Sequence, residues 1–271
     1  MPEGHTIHRL ARELRRDLRG APVHVTSPQG RFVLGAELLD GATLTRPWAY
    51  GKHLFLELAP VEAPPERLHI HLGLFGKFRR QASPPLDPVG EIRLRFEGPA
   101  WTWDLSGPTA CELIDDAGRD QILRRLGPDP LRPNADPEPF LTKVTRSERS
   151  IGVLLMDQSV IAGVGNVYRS ELCFRHGIDP RRPGRSIDPS EVLAIWDDAV
   201  SLLAVGVRLG RIVTVDPADP CLARPRSTMA QLPRADRLYV YRRQHCRRCD
   251  APVEWYELAN RRVYSCPVEQ H

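Results

Sequence analysis

Five prolines lie between residues 128 and 139 of this 271-residue chain. Proline fixes φ and lacks an amide hydrogen, so such a segment neither continues a helix nor occupies a central strand. A chain of this length has room for two domains of ordinary size, each with its own core. We therefore predict a domain boundary here and assign residues 127–150 to a proline-rich linker.

The residues before this boundary show two kinds of periodicity. Apolar residues recur at spacings of three and four between positions 7 and 18, which predicts a helix over 3–19 with one buried face. From about residue 22 to 115, short alternating stretches separated by Gly and Pro predict an antiparallel β-sandwich. A short helix is expected over 118–126. Residues 1–126 are therefore predicted to form an N-terminal β-sandwich domain with a leading helix.

The residues after the boundary have a different pattern. Residues 151–210 resemble several helices broken by Gly and Pro, of which 191–209 is the longest. We assign 151–236 to a helical domain and 237–271 to a small β-hairpin module. The predicted fold class is α+β: a β-sandwich with a leading helix, then a helical domain, then a hairpin.

The charge of the chain is unevenly distributed. The net charge is only +4, but the last 51 residues hold ten Lys/Arg and five Asp/Glu. A basic end suits contacts with nucleic-acid phosphates, although a merely solvated basic surface is the alternative. The sequence has no run of about 18 apolar residues, which excludes a membrane span. It also lacks the layout of a signal peptide, so we expect a cytoplasmic, nucleoid-associated protein.

Three of the six cysteines are clustered, at Cys246, Cys249 and Cys266. A C-x-x-C turn presents two sulfurs to one ion, and a thiol from across a hairpin supplies a third. In a chain without a signal peptide, clustering favours a metal over disulfides. A second C-x-x-C would place the fourth ligand at Glu269, and His271 is the next candidate. We expect one structural zinc ion on the three cysteines with His271 or Glu269; the alternative is a hairpin without metal.

Four motifs, in order along the chain, resemble those of the formamidopyrimidine-DNA glycosylase and endonuclease VIII family. They are Met1-Pro2-Glu3-Gly4-His5-Thr6, Gly51-Lys52-His53-Leu54, the stretch from Asp157-Gln158 to Ala162-Gly163-Val164-Gly165-Asn166-Val167-Tyr168, and Arg261 before Cys266. The first resembles the endonuclease VIII branch rather than the purine-specific branch, which begins Met-Pro-Glu-Leu-Pro-Glu. The third resembles the helix–two-turns–helix signature, and the fourth the arginine of a zinc finger. Glu269 departs from the family pattern, which has a fourth cysteine there.

The resemblance implies a bifunctional enzyme, a DNA glycosylase and abasic-site lyase whose catalytic residues are Pro2, Glu3 and Lys52. Removal of Met1 exposes Pro2 as a secondary amine, and an α-amino group with a pKa of about 7.7–8.0 is partly neutral near pH 7. A neutral amine attacks the sugar C1′ and forms an iminium. Glu3 is expected to act as general acid and base, and Lys52 to contact a phosphate. Without the resemblance, Pro2 would be interpreted as a first helical residue.

The expected partner is damaged double-stranded DNA, bound by a monomer away from membranes. The amide of Asn166, in a glycine-rich turn, is expected to donate to a phosphate, and Arg261 to bind phosphate in a bidentate manner. The target nucleotide has to leave the stack, and Leu74 and Phe75 resemble the family's intercalating residues. A strand with Leu74 and Phe75 in the core is the alternative.

Two alternative functions remain open. Within the family, the enzyme could act on oxidised purines (formamidopyrimidine or 8-oxoguanine) rather than on oxidised pyrimidines, which the N-terminal motif favours. The second alternative is not an enzyme: Glu269 in place of a cysteine suggests a non-catalytic damaged-DNA-binding protein with a degenerate zinc finger.

Overall fold

The computed structural model describes residues 2–61, 64–222 and 226–271. The chain divides into two compact units, Met1–Arg124 and Arg125–His271. Within the described ranges, no helix combines the length and the apolar character that crossing a bilayer requires.

The described residues of the first unit form three helices and eight strands. The helices are α1 (Gly4–Leu18), α2 (Val33–Leu39) and α3 (Asp116–Arg124). The strands are β1 (His24–Thr26), β2 (Thr43–Tyr50), β3 (His53–Ala59), β4 (Glu66–His71), β5 (Lys77–Ala82), β6 (Ile92–Glu97), β7 (Trp101–Ser106) and β8 (Ala110–Leu113). They build two four-stranded antiparallel sheets, in the orders β1-β6-β7-β5 and β2-β3-β4-β8.

One hydrophobic core joins the two sheets and α1. Alternate residues of β3, such as Leu54 and Leu56, and of β7, such as Trp103 and Leu105, are buried in it together with Ile7 of α1. The period of two in the strands and of 3.6 in α1 brings one face of each element to the same core. The predicted sandwich with a leading helix is confirmed.

The second unit contains four α-helices and a hairpin among its described residues, besides three short 3-10 helices at Gly184–Ser186, Met229–Gln231 and Arg234–Asp236. The α-helices and the two strands of the hairpin are α4 (Glu138–Thr145), α5 (Ile151–Leu154), α6 (Asn166–Arg175), α7 (Pro189–Leu209), β9 (Glu254–Leu258) and β10 (Arg261–Ser265). Helix α7 begins with a capping box between Asp188 and Glu191, and Gly210, with a φ of 68°, is its C-cap. These are strong start and stop signals, because both satisfy backbone groups that the helix leaves unpaired.

The segment 127–150, for which a linker is predicted, lies inside the second unit and carries α4. Phe140 and Val144 of this helix are fully buried in the helical core. The prolines here start a helix instead of forming a spacer, because Pro137 is the N-cap of α4 and Pro139 lies in its first turn. Proline is tolerated at these positions, where an amide hydrogen would have no intrahelical partner.

The second unit has two apolar clusters. One joins α4, α5, α6 and α7, and includes Tyr168 and Trp196. The other surrounds Phe174 and Tyr239, whose rings stack with centroids 4.8 Å apart, and it contains the buried Cys246 and Cys266. The cysteine cluster therefore belongs to a packed core that the short hairpin would not form alone.

Candidate active site and nucleic-acid interface

Pro2 precedes the first helix rather than beginning it. The N-cap of α1 is Glu3, with φ −117° and ψ 176°, and Gly4 is the first helical residue. The interpretation of Pro2 as a helix N1 residue is therefore wrong. Glu3 is fully buried, and its side chain makes no capping bond to the described residues of α1. The carboxylate beside Pro2 is therefore buried without capping α1.

His5 is a buried imidazole three residues after Pro2. Burial lowers the pKa of His5 to about 4, because desolvation disfavours the charged ring. The ring is neutral at pH 7 and adds no positive charge next to the amine of the chain. The pattern of histidines near the N-terminus gave no indication of this burial.

Lys52 lies in a two-residue turn between β2 and β3, directly before the first residue of β3. Tyr50 and His53 pair across this turn. Gly51 has a φ of 54°, in the left-handed region where a residue with Cβ is strained, which explains the glycine before the lysine. Lys52 is half-buried, and its charge adds to burial and to His69 in lowering the pKa of His71.

Three histidines and an acid share one face of the second sheet. His53 Nδ1 lies 2.9 Å from His69 Nε2, and His69 Nδ1 lies 2.9 Å from Glu112 Oε1. The His71 ring centroid lies 4.9 Å from that of His53. No sequence motif identified His69 or Glu112 as a functional residue. The signal was available in the alternation His69-Ile70-His71, which places both histidines on one face of a strand.

Leu74 and Phe75 lie in the loop between β4 and β5, and their side chains are 40% and 82% exposed. The alternative that they belong to the core is wrong. The loop is tight, because Gly73 has a φ of 63° and a Cβ on Gly76 would lie 2.2 Å from the Leu72 carbonyl oxygen. A tight loop therefore presents two large apolar side chains to solvent.

Asn166 is the first residue of α6, and its amide is partly committed within the protein. Its Nδ2 donates to the carbonyl oxygen of Arg262 at 2.9 Å, and its Oδ1 accepts from Arg169. The buried Arg169 also donates to the carbonyl oxygen of Leu258 at 3.0 Å. One hydrogen of the Asn166 amide group thus bonds the hairpin to α6. The expected donation to a phosphate would have to use the second hydrogen of the same group.

Arg261 is exposed at the start of β10, at the tip of the hairpin. Leu258 pairs with Arg261 across a two-residue turn, Ala259-Asn260, with φ of 53° and 55°. Positive φ at both positions is the type I′ geometry that matches strand twist. Arg262 stacks its guanidinium on Trp255, 4.1 Å from the ring centroid.

The three clustered cysteines converge on one place. The sulfurs of Cys246, Cys249 and Cys266 lie within 4.8 Å of one another, and the last two are 3.4 Å apart. Thiolates around one zinc ion lie about 3.8 Å apart, so the arrangement fits three ligands of a tetrahedral site. Among the described residues, neither Glu269 nor His271 brings a ligand atom into this cluster.

The two candidates for the fourth ligand have other contacts. A Glu269 oxygen lies 3.4 Å from a guanidinium nitrogen of Arg248. The backbone of His271 exchanges hydrogen bonds with Gly177 and Asp179, and the residue is exposed. The backbone of His271 is thus held against the loop after α6, and ligation by His271 or Glu269 stays a prediction.

Comparisons with known proteins cover the whole chain. Residues 1–106 match the family model described as the formamidopyrimidine-DNA glycosylase N-terminal domain, and residues 126–217 match its H2TH domain. The chain is 49% identical to Endonuclease 8 1 of Mycobacterium tuberculosis, with 100% of both proteins covered. It is 30% identical to a formamidopyrimidine-DNA glycosylase of Geobacter metallireducens, with 98% of both covered.

The fold has counterparts among solved structures. A complex of Lactococcus lactis Fpg with DNA containing N7-benzyl-Fapy-dG matches with a TM-score of 0.79 at 24% identity, over 99% of both chains. At this identity the match concerns the fold alone, whereas the full-length relatives establish descent. The chain therefore belongs to the formamidopyrimidine-DNA glycosylase and endonuclease 8 family, whose members are DNA glycosylases with lyase activity at abasic sites.

Proposed function

We propose that this protein excises oxidised bases, with a preference for oxidised pyrimidines, through the amine of Pro2. The observation that carries the proposal is the place of Pro2 outside α1, next to the buried Glu3. A proline that served only to start the helix would lie one or two positions further along. The preference for pyrimidines rests on the sequence Pro2-Glu3-Gly4-His5 and on 49% identity to a protein named Endonuclease 8 1.

The reaction begins once Met1 is removed, since an acylated proline is an amide and does not attack. The neutral amine forms a bond to the sugar C1′, and the damaged base departs with the electrons of the glycosidic bond. Loss of the amine proton and cleavage of the bond between C1′ and the ring oxygen then open the sugar and leave an iminium at C1′, which acidifies the C2′ proton. Loss of that proton expels the 3′ phosphate, and a second elimination expels the 5′ phosphate.

Glu3 is the proposed general acid and base of these steps. It protonates the ribose ring oxygen as C1′ is attacked and later accepts a proton. The fully buried position of Glu3 supports this role, since a carboxylate shielded from water interacts more strongly with charge that develops beside it. The neutral His5 adds no positive charge beside the amine of Pro2.

The proposed contacts with duplex DNA come from both units. Lys52 contacts a phosphate near the lesion, and the exposed Arg261 binds another phosphate. The remaining amide hydrogen of Asn166 donates to a third. Leu74 and Phe75 fill the space that the flipped nucleotide leaves, which their exposure on a tight loop supports. We further propose that the protein acts in the cytoplasm, on chromosomal DNA, as a monomer.

Zinc is the proposed ion of the cysteine cluster, with a structural role. The three thiols supply three ligands, and Glu269 completes the site if its contact with Arg248 opens. A carboxylate ligates zinc at about 2.0–2.2 Å, so the departure from a fourth cysteine is compatible with binding.

Borohydride trapping on duplex DNA with one abasic site tests the amine mechanism. We expect wild-type protein to form a covalent adduct and Pro2→Gly to form far less. Glu37→Gln, an exposed change on α2, is the matched control and should trap like wild type. An untrapped wild type, or equal trapping by Pro2→Gly, refutes the mechanism. Binding of damaged DNA without any adduct would instead favour the non-catalytic DNA-binding protein.

The substrate preference needs a separate comparison. Duplexes with thymine glycol and with 8-oxoguanine should be cleaved at different single-turnover rates, the first faster. Faster cleavage of the 8-oxoguanine duplex would favour the oxidised-purine alternative. The 30% identity to a formamidopyrimidine-DNA glycosylase is the observation that supports this alternative.

A further inference from the structure

Two candidate functional loops lie at the same end of two neighbouring strands of the second sheet, β3 and β4. The turn with Lys52 precedes β3, and the loop with Leu74 and Phe75 follows β4. Because β3 and β4 are antiparallel, with His53 paired to His71, the beginning of one lies beside the end of the other. The histidines are thus the strand residues that adjoin both loops.

A chain of two hydrogen bonds runs across this face from Glu112 through His69 to His53, and each bond is 2.9 Å long. An ionised carboxylate only accepts, so the Nδ1 of His69 carries a hydrogen and donates it to Glu112. In a neutral His69 the Nε2 is then an acceptor, and His53 Nδ1 donates to it. The carboxylate thereby determines the tautomer of both rings.

The packing around His69 makes this arrangement rigid. Only 4% of His69 is exposed, and both of its nitrogens are used. The ring stacks on those of Phe55 and His53, each with centroids 5.2 Å apart. A buried ring held by two hydrogen bonds and two stacked neighbours has one orientation rather than several.

We propose that Glu112, His69 and His53 form a positioning relay, which orients the turn that carries Lys52 during base excision. The inference rests on the proposed function of Lys52. His53 is the link, since it follows Lys52 and pairs with Tyr50 across the turn. None of the three relay residues is a catalytic residue: each acts through the residue next to it in the chain or through a hydrogen bond.

The relay matters because the position of Lys52 depends on the conformation of the turn that carries it. A displacement of about 1 Å at a reacting centre costs on the order of a hundredfold in rate. A relay that holds His53 restricts the backbone conformation of the turn, and thereby the position from which the Lys52 side chain contacts DNA.

His69→Phe is the main test, because phenylalanine keeps the stacked ring and removes both hydrogen bonds. We expect the single-turnover rate of base excision to fall about tenfold to a hundredfold. The dissociation constant for the same DNA should stay within about threefold, and the melting temperature within about 3 °C. This division between rate and binding separates positioning from a general loss of structure.

Two changes at Glu112 supply a rescue comparison. Glu112→Gln keeps an acceptor for the Nδ1 hydrogen of His69 and should stay within about threefold of wild type, whereas Glu112→Leu should lose at least about fivefold in rate. The Glu112 side chain is 56% exposed, so neither change endangers folding. This pair decides the question even if His69→Phe fails to fold.

His24→Phe is the matched control. His24 lies on β1 of the same unit, and its Nδ1 is 2.7 Å from Asp40 Oδ1, so the change also removes a histidine–carboxylate hydrogen bond. This variant should excise at the wild-type rate. Equal rates for His69→Phe and wild type, or for Glu112→Gln and Glu112→Leu, overturn the relay. Wild type that forms no trapped adduct overturns the proposed function instead, so the two failures are distinguishable.

Discussion

Glu171 offers the sharpest test of what holds the cysteine module in place. This residue of α6 is fully buried, and its carboxylate accepts four hydrogen bonds. The donors are the backbone amides of Tyr239, Val240 and Tyr241, at 2.8, 2.9 and 2.8 Å, and the hydroxyl of Thr214. The bound segment leads directly into the turn that begins at Cys246.

Glu171→Gln keeps the shape of the side chain but replaces one acceptor oxygen with a donor. The least costly arrangement places the amide nitrogen toward Thr214, whose hydroxyl can turn to the carbonyl oxygen of Arg237, 3.2 Å away. The amide of Tyr239 then has no acceptor, which costs about 1–3 kcal/mol. The two remaining bonds lose their charge assistance, so the total loss in the free energy of unfolding is about 3 kcal/mol.

Urea unfolding followed by far-UV circular dichroism measures this loss, and amide hydrogen exchange shows where it acts. We expect a lower unfolding midpoint and faster exchange at residues 239–241. Glu257→Gln, an exposed change on β9 of the same unit, is the control and should alter stability by less than about 0.5 kcal/mol. A loss under about 1 kcal/mol for Glu171→Gln would refute the reasoning, since it would mean that no acceptor is missed.

Three further predictions concern pH, zinc and the exposed loop. Burial lowers the pKa of His5 to about 4, so between pH 6.5 and 4 the unfolded chain binds a proton that the folded chain does not. The free energy of unfolding should therefore fall by about 3 kcal/mol as the pH drops through this window, and His5→Gln should flatten that slope in urea titrations. Elemental analysis should find one zinc per chain, and Glu269→Cys should slow its removal by a chelator; zinc-free protein or unchanged removal would contradict this. Phe75→Ala should weaken binding to abasic DNA without changing the melting temperature, because the side chain is 82% exposed, whereas Leu72→Ala should cost about 2–5 kcal/mol of stability.

The sequence alone determined the elements with strong local signals. The period of α1, the alternation in the strands of the first unit and the capping residues of α7 depend only on near neighbours in the chain. The family was equally accessible, because its motifs are contiguous residues. The predictions of the family and of a DNA glycosylase with lyase activity are confirmed. The assignments of Pro2, Glu3, Lys52 and Arg261 remain predictions.

The proline-rich segment could not be assigned from its local sequence alone. The same residue that excludes a helix interior also favours the first turn of a helix, and packing decides between the two. In α4 the burial of Phe140 selects the helix, so 138–145 is part of a core instead of a spacer.

Only the tertiary structure decided which side chains meet across the sheet. The residues of the relay are 16 and 43 positions apart, and their contact depends on the register of three strands. The same holds at Asn166, whose amide bonds to Arg262 96 residues away. Local sequence carries the propensity of each element, but the partners of a side chain follow from packing between elements, and a one-residue change of register would have placed these histidines on the opposite face.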